Sequence, residues 1–172
     1  MDALKPQDVV IALKLAPLKG GAWTYAELAR SLHVSTATVH QSVQRLTASR
    51  LFEARTLRQV VSPRLFELLV HGIPYVFPAT LGATSRRGLP TGVSIPVLAD
   101  KLVLGDEDCM VWPMKGGPAV GRTVEPLYRS VPEASLEDAR LYEALALVDA
   151  IRVGRARERN LAAAELKERL QA

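Results

Sequence analysis

Length, composition and cysteine content exclude several classes of protein. The chain has 172 residues, of which 48% are hydrophobic and 23% are charged, which is typical of globular domains and unlike disordered segments. The single cysteine, Cys109, excludes an internal disulfide and a cysteine-based zinc cluster. The start of the chain lacks a signal-peptide pattern, and no apolar run approaches the length of a membrane span. We therefore expect a cytoplasmic protein that does not contact a membrane and holds no metal or cofactor.

The excess positive charge lies in the N-terminal part of the chain. The net charge is +4, and residues 1–76 contain nine Lys and Arg against five Asp and Glu, whereas residues 77–172 contain thirteen of each. A basic region of this kind favours a polyanionic partner such as a nucleic acid, although an imbalance of this size also arises by chance.

The first part of the chain carries the signals of successive helices. Pro6 is placed to begin a helix, and Thr24 with Glu27 forms a capping box at the start of a second helix. Ser35 caps a third helix over about residues 36–48.

A short hairpin follows these helices. Loose alternation over residues 50–55 and the apolar pair in residues 59–61 predict two strands with a tip between them. Ser62 and Pro63 then begin a further helix, which Gly72 and Pro74 are expected to end.

The middle of the chain changes in character. Seven of the eleven prolines and seven of the eleven glycines lie in residues 78–132, which predicts turns joining short extended pieces at residues 92–98, 102–104 and 110–112. A capping box from Ser135 to Asp138 then begins a helix that ends at about residue 154.

The whole pattern predicts a mainly α protein with small β parts (α+β). A last helix covers about residues 155–170. We expect two domains: a winged helix-turn-helix over residues 1–77, and a regulatory or interaction region with short strands and two C-terminal helices over residues 78–172.

Apolar side chains recur on one side of the helix at residues 36–48. Val39, Val43 and Leu46 are spaced by four and then three residues, so we expect them to face inward. A rotation of about 100° per residue then turns small and polar residues outward, namely Ala37, Gln41, Gln44 and Ala48, with Thr38, His40 and Arg45 beside them.

This outward face suits the major groove of duplex DNA, which is roughly 12 Å wide and accepts a helix. Glutamine can pair with adenine, arginine with guanine, and alanine permits close approach to a base. The first amides of the helix suit a phosphate oxygen, and arginines in the hairpin suit the DNA backbone or the minor groove. The candidate DNA-binding residues are therefore Ser35, Thr36, Ala37, Thr38, His40, Gln41, Gln44, Arg45, Arg50, Arg55 and Arg58.

The segment from Tyr25 to Ser35, with the residues that follow it, resembles the winged helix-turn-helix of MarR-like bacterial regulators. The resemblance covers a little under half of the 172 residues and is carried by the pattern Leu28-Ala29-x-x-Leu32-x-Val34-Ser35, then Val39-x-x-x-Val43-x-Arg45-Leu46. It implies a recognition helix at residues 36–48 and a wing that contacts the DNA backbone. MarR-like proteins usually flank this module with long dimerising helices that hold a small ligand, whereas here a Pro/Gly-rich segment follows.

These observations predict a sequence-specific regulator that binds double-stranded DNA, acts as a repressor and forms a homodimer. The alternative is an antitoxin or adaptor that binds a partner protein, a toxin for example, through residues 78–172 and autoregulates by binding DNA. A winged helix that contacts only protein is a further possibility. The adjacent Arg86 and Arg87 fit phosphate and the chain's own carboxylates equally well, and internal pairing is favoured for the arginines at 152–159.

Catalysis is not expected. His33, His40 and His71 lack the spacing of a metal-binding motif. Cys109 follows an acidic run, Asp106-Glu107-Asp108, whereas reactive thiols occur in electropositive settings. The acidic run itself is typical of a solvated loop.

Overall fold

The helices and strands are those of an α+β protein, mainly helical with two small sheets. The computed structural model describes residues 3–105 and 108–171. Over these two ranges, no helix is both long enough and apolar enough to cross a membrane. The expected fold class is confirmed at this level.

The N-terminal helices and the hairpin lie where the sequence places them: α1 (Pro6–Leu15), α2 (Tyr25–Ser31), α3 (Thr36–Ala48), β1 (Phe52–Glu53) and β2 (Gln59–Val60). The capping box of α2 is present, with the Thr24 hydroxyl accepting from the Glu27 amide at 3.1 Å and the Glu27 carboxylate accepting from the Thr24 amide at 2.9 Å. The Ser35 hydroxyl accepts from the amide of Thr38 at 3.1 Å. Both predicted caps are confirmed.

The helix after the hairpin does not end at Gly72 and Pro74. It begins as α4 (Ser62–Glu67), widens into a π-helical turn (Leu68–Gly72) and continues as α5 (Ile73–Val76). Pro74 is the second residue of α5 and follows directly on the π-helical turn, in which the Ile73 amide donates to the Leu68 carbonyl. The wider turn thus carries the chain past a proline that the sequence indicates as a stop.

The middle region contains three strands that close on one another: β3 (Leu81–Pro90), β4 (Met110–Pro113) and β5 (Ala119–Val124). Strand β3 pairs antiparallel with both β4 and β5, and β4 pairs parallel with β5. Of these three strands, only β4 was predicted, as the extended piece at residues 110–112. The extended piece predicted at residues 92–98 is wrong, because Gly92–Ser94 is a 3₁₀ turn and Pro96 begins the short helix α6 (Pro96–Ala99). Residues 102–104 belong to no strand.

Strand β3 lacks the usual composition of a strand because the closed sheet is narrow. A Cβ atom on Gly88 would lie 2.0 Å from the carbonyl oxygen of Trp112 on β4. Small residues are therefore needed where the strands approach closely, and they make β3 look like a turn in the sequence.

The C-terminal helices are α7 (Val131–Glu137), α8 (Ala139–Val153) and α9 (Ala156–Gln171). The capping box predicted at Ser135 is wrong, because Pro132 in the first turn of α7 starts that helix earlier and leaves Ser135 inside it. The break between α7 and α8 falls at Asp138, whose carboxylate accepts from the Leu141 amide at 3.0 Å. Asp138 therefore caps α8.

One apolar cluster runs through both predicted domains. Helix α1 packs against both α3 and α8, and Leu13, Leu46, Leu145 and Leu166 all belong to the same buried core. The boundary predicted at residue 77 thus separates two stretches of chain that share this core.

Candidate nucleic-acid interface

Helix α3 has one buried and one exposed face, and the sequence assigned both correctly. Val39, Val43 and Leu46 are 0%, 6% and 1% exposed. On the opposite side, the side chains of Ala37, Gln41, Gln44 and Ala48 are exposed. We call these four residues the α3 face.

Arg45 does not flank the α3 face, and its assignment as a DNA-binding residue is wrong. Its side chain is buried and donates from Nε to Asp8 Oδ2 at 2.8 Å and from Nη2 to Asp8 Oδ1 at 2.6 Å. Asp8 is fully buried on α1, and a buried carboxylate requires a compensating charge and hydrogen bonds. Arg45 therefore fastens α3 to α1.

The N-terminus of α3 is exposed, but its cap is already in use. The Ser35 hydroxyl accepts from the Thr38 amide, and the Ser35 and Thr38 side-chain oxygens lie 2.8 Å apart. Thr36 is exposed. An incoming phosphate oxygen would therefore meet Thr36 and the first amides of the helix rather than a spare Ser35 oxygen.

The hairpin tip is held by a carboxylate that the sequence analysis missed. Glu53 accepts from the backbone amides of Arg55 at 2.8 Å, Thr56 at 3.1 Å and Leu57 at 2.6 Å. The pKa of Glu53 is lowered to about 2, with the largest contribution from the hydrogen bond of the Leu57 amide and the next from that of the Arg55 amide. The tip is thus organised around Glu53, whose charge is directed to its own backbone. An acidic residue at the end of a strand, followed by a short loop, was the available signal.

Arginines line the hairpin and its surroundings. Arg50, Arg55 and Arg58 are exposed, and the Arg58 guanidinium carbon lies 4.5 Å from the centre of the Trp23 ring. Across the described ranges, no carboxylate forms an ion pair with Arg50 or Arg55. Arg64, which the sequence analysis did not select, donates to the Arg50 carbonyl at 3.0 Å and adds a further positive charge here.

His40 is exposed beside the α3 face and stacks on Tyr25, with ring centroids 3.6 Å apart and ring planes at 10°. Tyr25 in turn meets Trp23 edge to face, with centroids 5.3 Å apart. The sequence analysis assigned no role to Tyr25 or Trp23 at the interface.

The remaining basic and acidic groups belong to other arrangements. Arg86 and Arg87 both lie on β3 and are exposed, and Arg87 donates to the Gly117 carbonyl at 3.0 Å. Arg152 pairs with Asp149 at 2.7 Å, which confirms internal pairing for that arginine.

No cluster of metal-ligating side chains is found within residues 3–105 and 108–171. Of the acidic run, Asp106 and Glu107 lie outside the described residues, and the Asp108 carboxylate accepts from the Gly105 amide at 2.9 Å.

No protein-family model matches the chain, and neither curated proteins nor solved structures include a significant match.

Proposed function

We propose that this protein is a sequence-specific regulator that binds double-stranded DNA through a winged helix-turn-helix. In this proposal α2 and α3 form the helix-turn-helix, the α3 face reads bases in the major groove, and the β1–β2 hairpin is the wing. MarR-like ancestry is part of the same proposal.

The observation that carries the proposal is the chemistry of the α3 face. Two exposed glutamines and two exposed alanines lie on a helix whose other side is anchored by Val39, Val43 and Leu46. Glutamine hydrogen-bonds to base edges and alanine permits a close approach. Helix α3 contains no carboxylate that would repel the phosphates on either side of the groove.

The charges of the hairpin support its proposed role as the wing that contacts the DNA backbone. Arg50 and Arg55 are exposed without carboxylate partners among the residues described, and Glu53 is turned toward backbone amides. Arginines placed in this way can neutralise phosphates, a contribution to affinity that is independent of sequence and sensitive to salt.

The test is a binding assay with duplexes from the protein's own promoter and with random duplexes. Gln41→Ala and Gln44→Ala should each weaken specific binding by about 1–3 kcal/mol and leave random-duplex binding nearly unchanged. Gln171→Ala, an exposed glutamine at the end of α9, is the matched control and should leave both affinities unchanged. Equal losses on specific and random duplexes would contradict the assignment of the α3 face.

We further propose that the regulator acts as a homodimer, since two modules on successive half-sites about one helical turn apart multiply a modest single-module affinity. Light scattering of the DNA complex would show two copies per operator. A single bound copy with full affinity would overturn the dimer.

A second candidate function is partner binding by the C-terminal region, as in an antitoxin or adaptor. It is favoured by exposed apolar side chains there, since Val120 on β5 is 54% exposed and Leu136 on α7 is 63% exposed. Co-expression with the product of a neighbouring gene should yield a stable complex that Val120→Asp or Leu136→Asp disrupts. A complex that both variants leave intact would place the partner elsewhere.

A further inference from the structure

Four side chains connect the hairpin to helix α3 without a break. The guanidinium of Arg58 lies over Trp23, Trp23 meets Tyr25 edge to face, and Tyr25 stacks on His40. We call this series of contacts the aromatic ladder. It begins at the last residue before β2 and ends on α3, next to Gln41 of the α3 face.

The ladder is anchored in the core at its centre. Trp23 is 7% exposed and also meets Phe52 of β1 edge to face, with ring centroids 6.2 Å apart. Trp23 thus contacts the hairpin at two points, at Phe52 in β1 and at Arg58 directly before β2. Cation–π and edge-to-face contacts both constrain the geometry of the groups they join.

Covalent connection alone would leave the hairpin less constrained. The chain passes from α3 to β1 through a short link, in which Arg50 has a φ of +60°, and each strand has only two residues. A two-stranded hairpin of this length is marginally stable without support. The ladder supplies support through Trp23, in addition to the burial of Phe52 and Val60 in the core. The backbone near Gly20 also lies close to the tip, because a Cβ atom there would lie 2.4 Å from the Leu57 carbonyl oxygen.

We propose that the aromatic ladder makes the α3 face and the hairpin one rigid DNA-reading element, with Trp23 and Tyr25 as positioning residues. The proposal rests on the proposed function, because it concerns how two DNA contacts cooperate. Base contacts by Gln41 and phosphate contacts by Arg55 are then energetically coupled. When one contact is lost, the rigid element changes its position on the duplex, and the other contact weakens as a result.

A distance measurement in the absence of DNA tests rigidity on its own. Spin labels are attached at Gln41→Cys and Arg55→Cys in a full-length Cys109→Ser background, and the distance distribution is recorded by electron paramagnetic resonance. We expect a narrow distribution that widens by about twofold or more in Tyr25→Leu and in Arg58→Gln, because local order depends on the contacts removed. Arg30→Gln, an exposed arginine on α2 outside the ladder, should leave the distribution narrow. An unchanged width in both ladder variants would overturn the proposal.

A binding cycle tests the consequence for DNA. Gln41→Ala, Arg55→Ala and the double variant are compared on the promoter duplex, in the unsubstituted protein and in Tyr25→Leu. Where Tyr25 is intact, we expect the affinity loss of the double variant to be about fivefold smaller than the product of the two single losses, because contacts made by one rigid body are not additive. In Tyr25→Leu the losses should multiply. Trp23→Phe, which keeps an aromatic ring, should retain part of the coupling.

The outcomes separate this proposal from the function on which it rests. If the unsubstituted protein binds no duplex, the proposed function fails, and the distance distributions still report on the ladder. If it binds and the losses multiply equally in both backgrounds, the function stands and the coupling by the ladder is overturned. The thermal midpoint of each variant confirms that it is folded under the assay conditions.

Discussion

Arginines have different roles in residues 1–76, the N-terminal half, and in residues 77–172, the C-terminal half. In the C-terminal half, Arg152 donates to the carboxylate of Asp149 at 2.7 Å and to the carbonyl of Phe77 at 2.9 Å. Arg169 pairs with Glu143 and Glu165 at 2.9 and 2.8 Å. In the N-terminal half, Arg50 and Arg55 are exposed and form no ion pair with any carboxylate in the described ranges. Arg152 and Arg169 thus hold the fold together, whereas Arg50 and Arg55 are exposed to solvent.

The comparison teaches that a count of charges locates a binding surface only after internal pairs are removed. Arg45 illustrates this, because it adds to the basic N-terminal count and lies on the proposed recognition helix, yet it serves Asp8 inside the core. Arg86 is the converse case, since it is exposed in a half that has no net charge.

The largest expected effect is on Arg45, an N-terminal arginine that is paired inside the protein as Arg152 is. Arg45→Ala should reduce the free energy of unfolding by about 3–5 kcal/mol, because it leaves the Asp8 carboxylate buried without its charge partner. Arg55→Ala should change it by no more than about 0.5 kcal/mol. Urea denaturation measures both, and the double variant Asp8→Leu/Arg45→Met should recover most of the loss. Similar small losses for Arg45→Ala and Arg55→Ala would remove the distinction between them.

The next effect concerns the junction at which α1 meets the C-terminal helices. Asp138→Ala should cost about 1–2 kcal/mol, because Asp138 caps α8 and also pairs with Lys14 of α1 at 2.6 Å. Ser135→Ala should be nearly neutral, since the buried Ser135 hydroxyl has no hydrogen-bond partner in the described part of the chain. Thermal unfolding of the two variants measures the difference, and the reverse ranking would restore Ser135 as the cap.

A smaller effect separates exposed arginines of the two halves. Arg55→Ala should lower the slope of log affinity against log salt by about 1, equally for specific and random duplexes. Arg86→Ala should leave the slope unchanged if only the N-terminal half contacts DNA. Fluorescence anisotropy over a salt series provides the measurement, and a matching loss for Arg86→Ala would extend the DNA surface to β3.

The smallest effect is local to the hairpin tip. The pKa of Glu53 is lowered to about 2 from 4.5, so the order that Glu53 confers on the tip is complete above pH 4.5 and is lost as the pH falls toward 2. Glu53→Gln should speed amide hydrogen exchange at Arg55, Thr56 and Leu57 at neutral pH and leave exchange in α8 unchanged. Unaltered exchange at these three amides would show that other contacts hold the tip.

Local signals made the N-terminal half readable from sequence. The caps at Thr24 and Ser35 and the buried side chains of Val39, Val43 and Leu46 depend on residues within one or two turns of each other, so their spacing is sufficient to locate them. The exposure of the α3 face could be predicted in the same way, because this face lies opposite the buried side chains of the same helix.

The remainder depends on partners that are distant in the chain. Arg45 is 37 residues from Asp8, and Trp23 is 35 residues from Arg58 by their numbering, so helical spacing gives no indication of either contact. Strand β3 was missed for a related reason, since Gly88 is required by the approach of β4, and glycine in isolation indicates a turn.

The closed sheet restricts how the C-terminal half can recruit another protein. In an open sheet, the outermost strand offers unpaired amides and carbonyls to which a foreign segment can add as a new strand. Here each of the three strands already pairs with the other two. Closure is confined to the ends of the strands, because β4 pairs with β3 only from Gly88 to Pro90. In the second proposed function, a partner that binds over this closed part would be recognised through exposed side chains such as Val120 and Arg86, and substitutions there should weaken its binding.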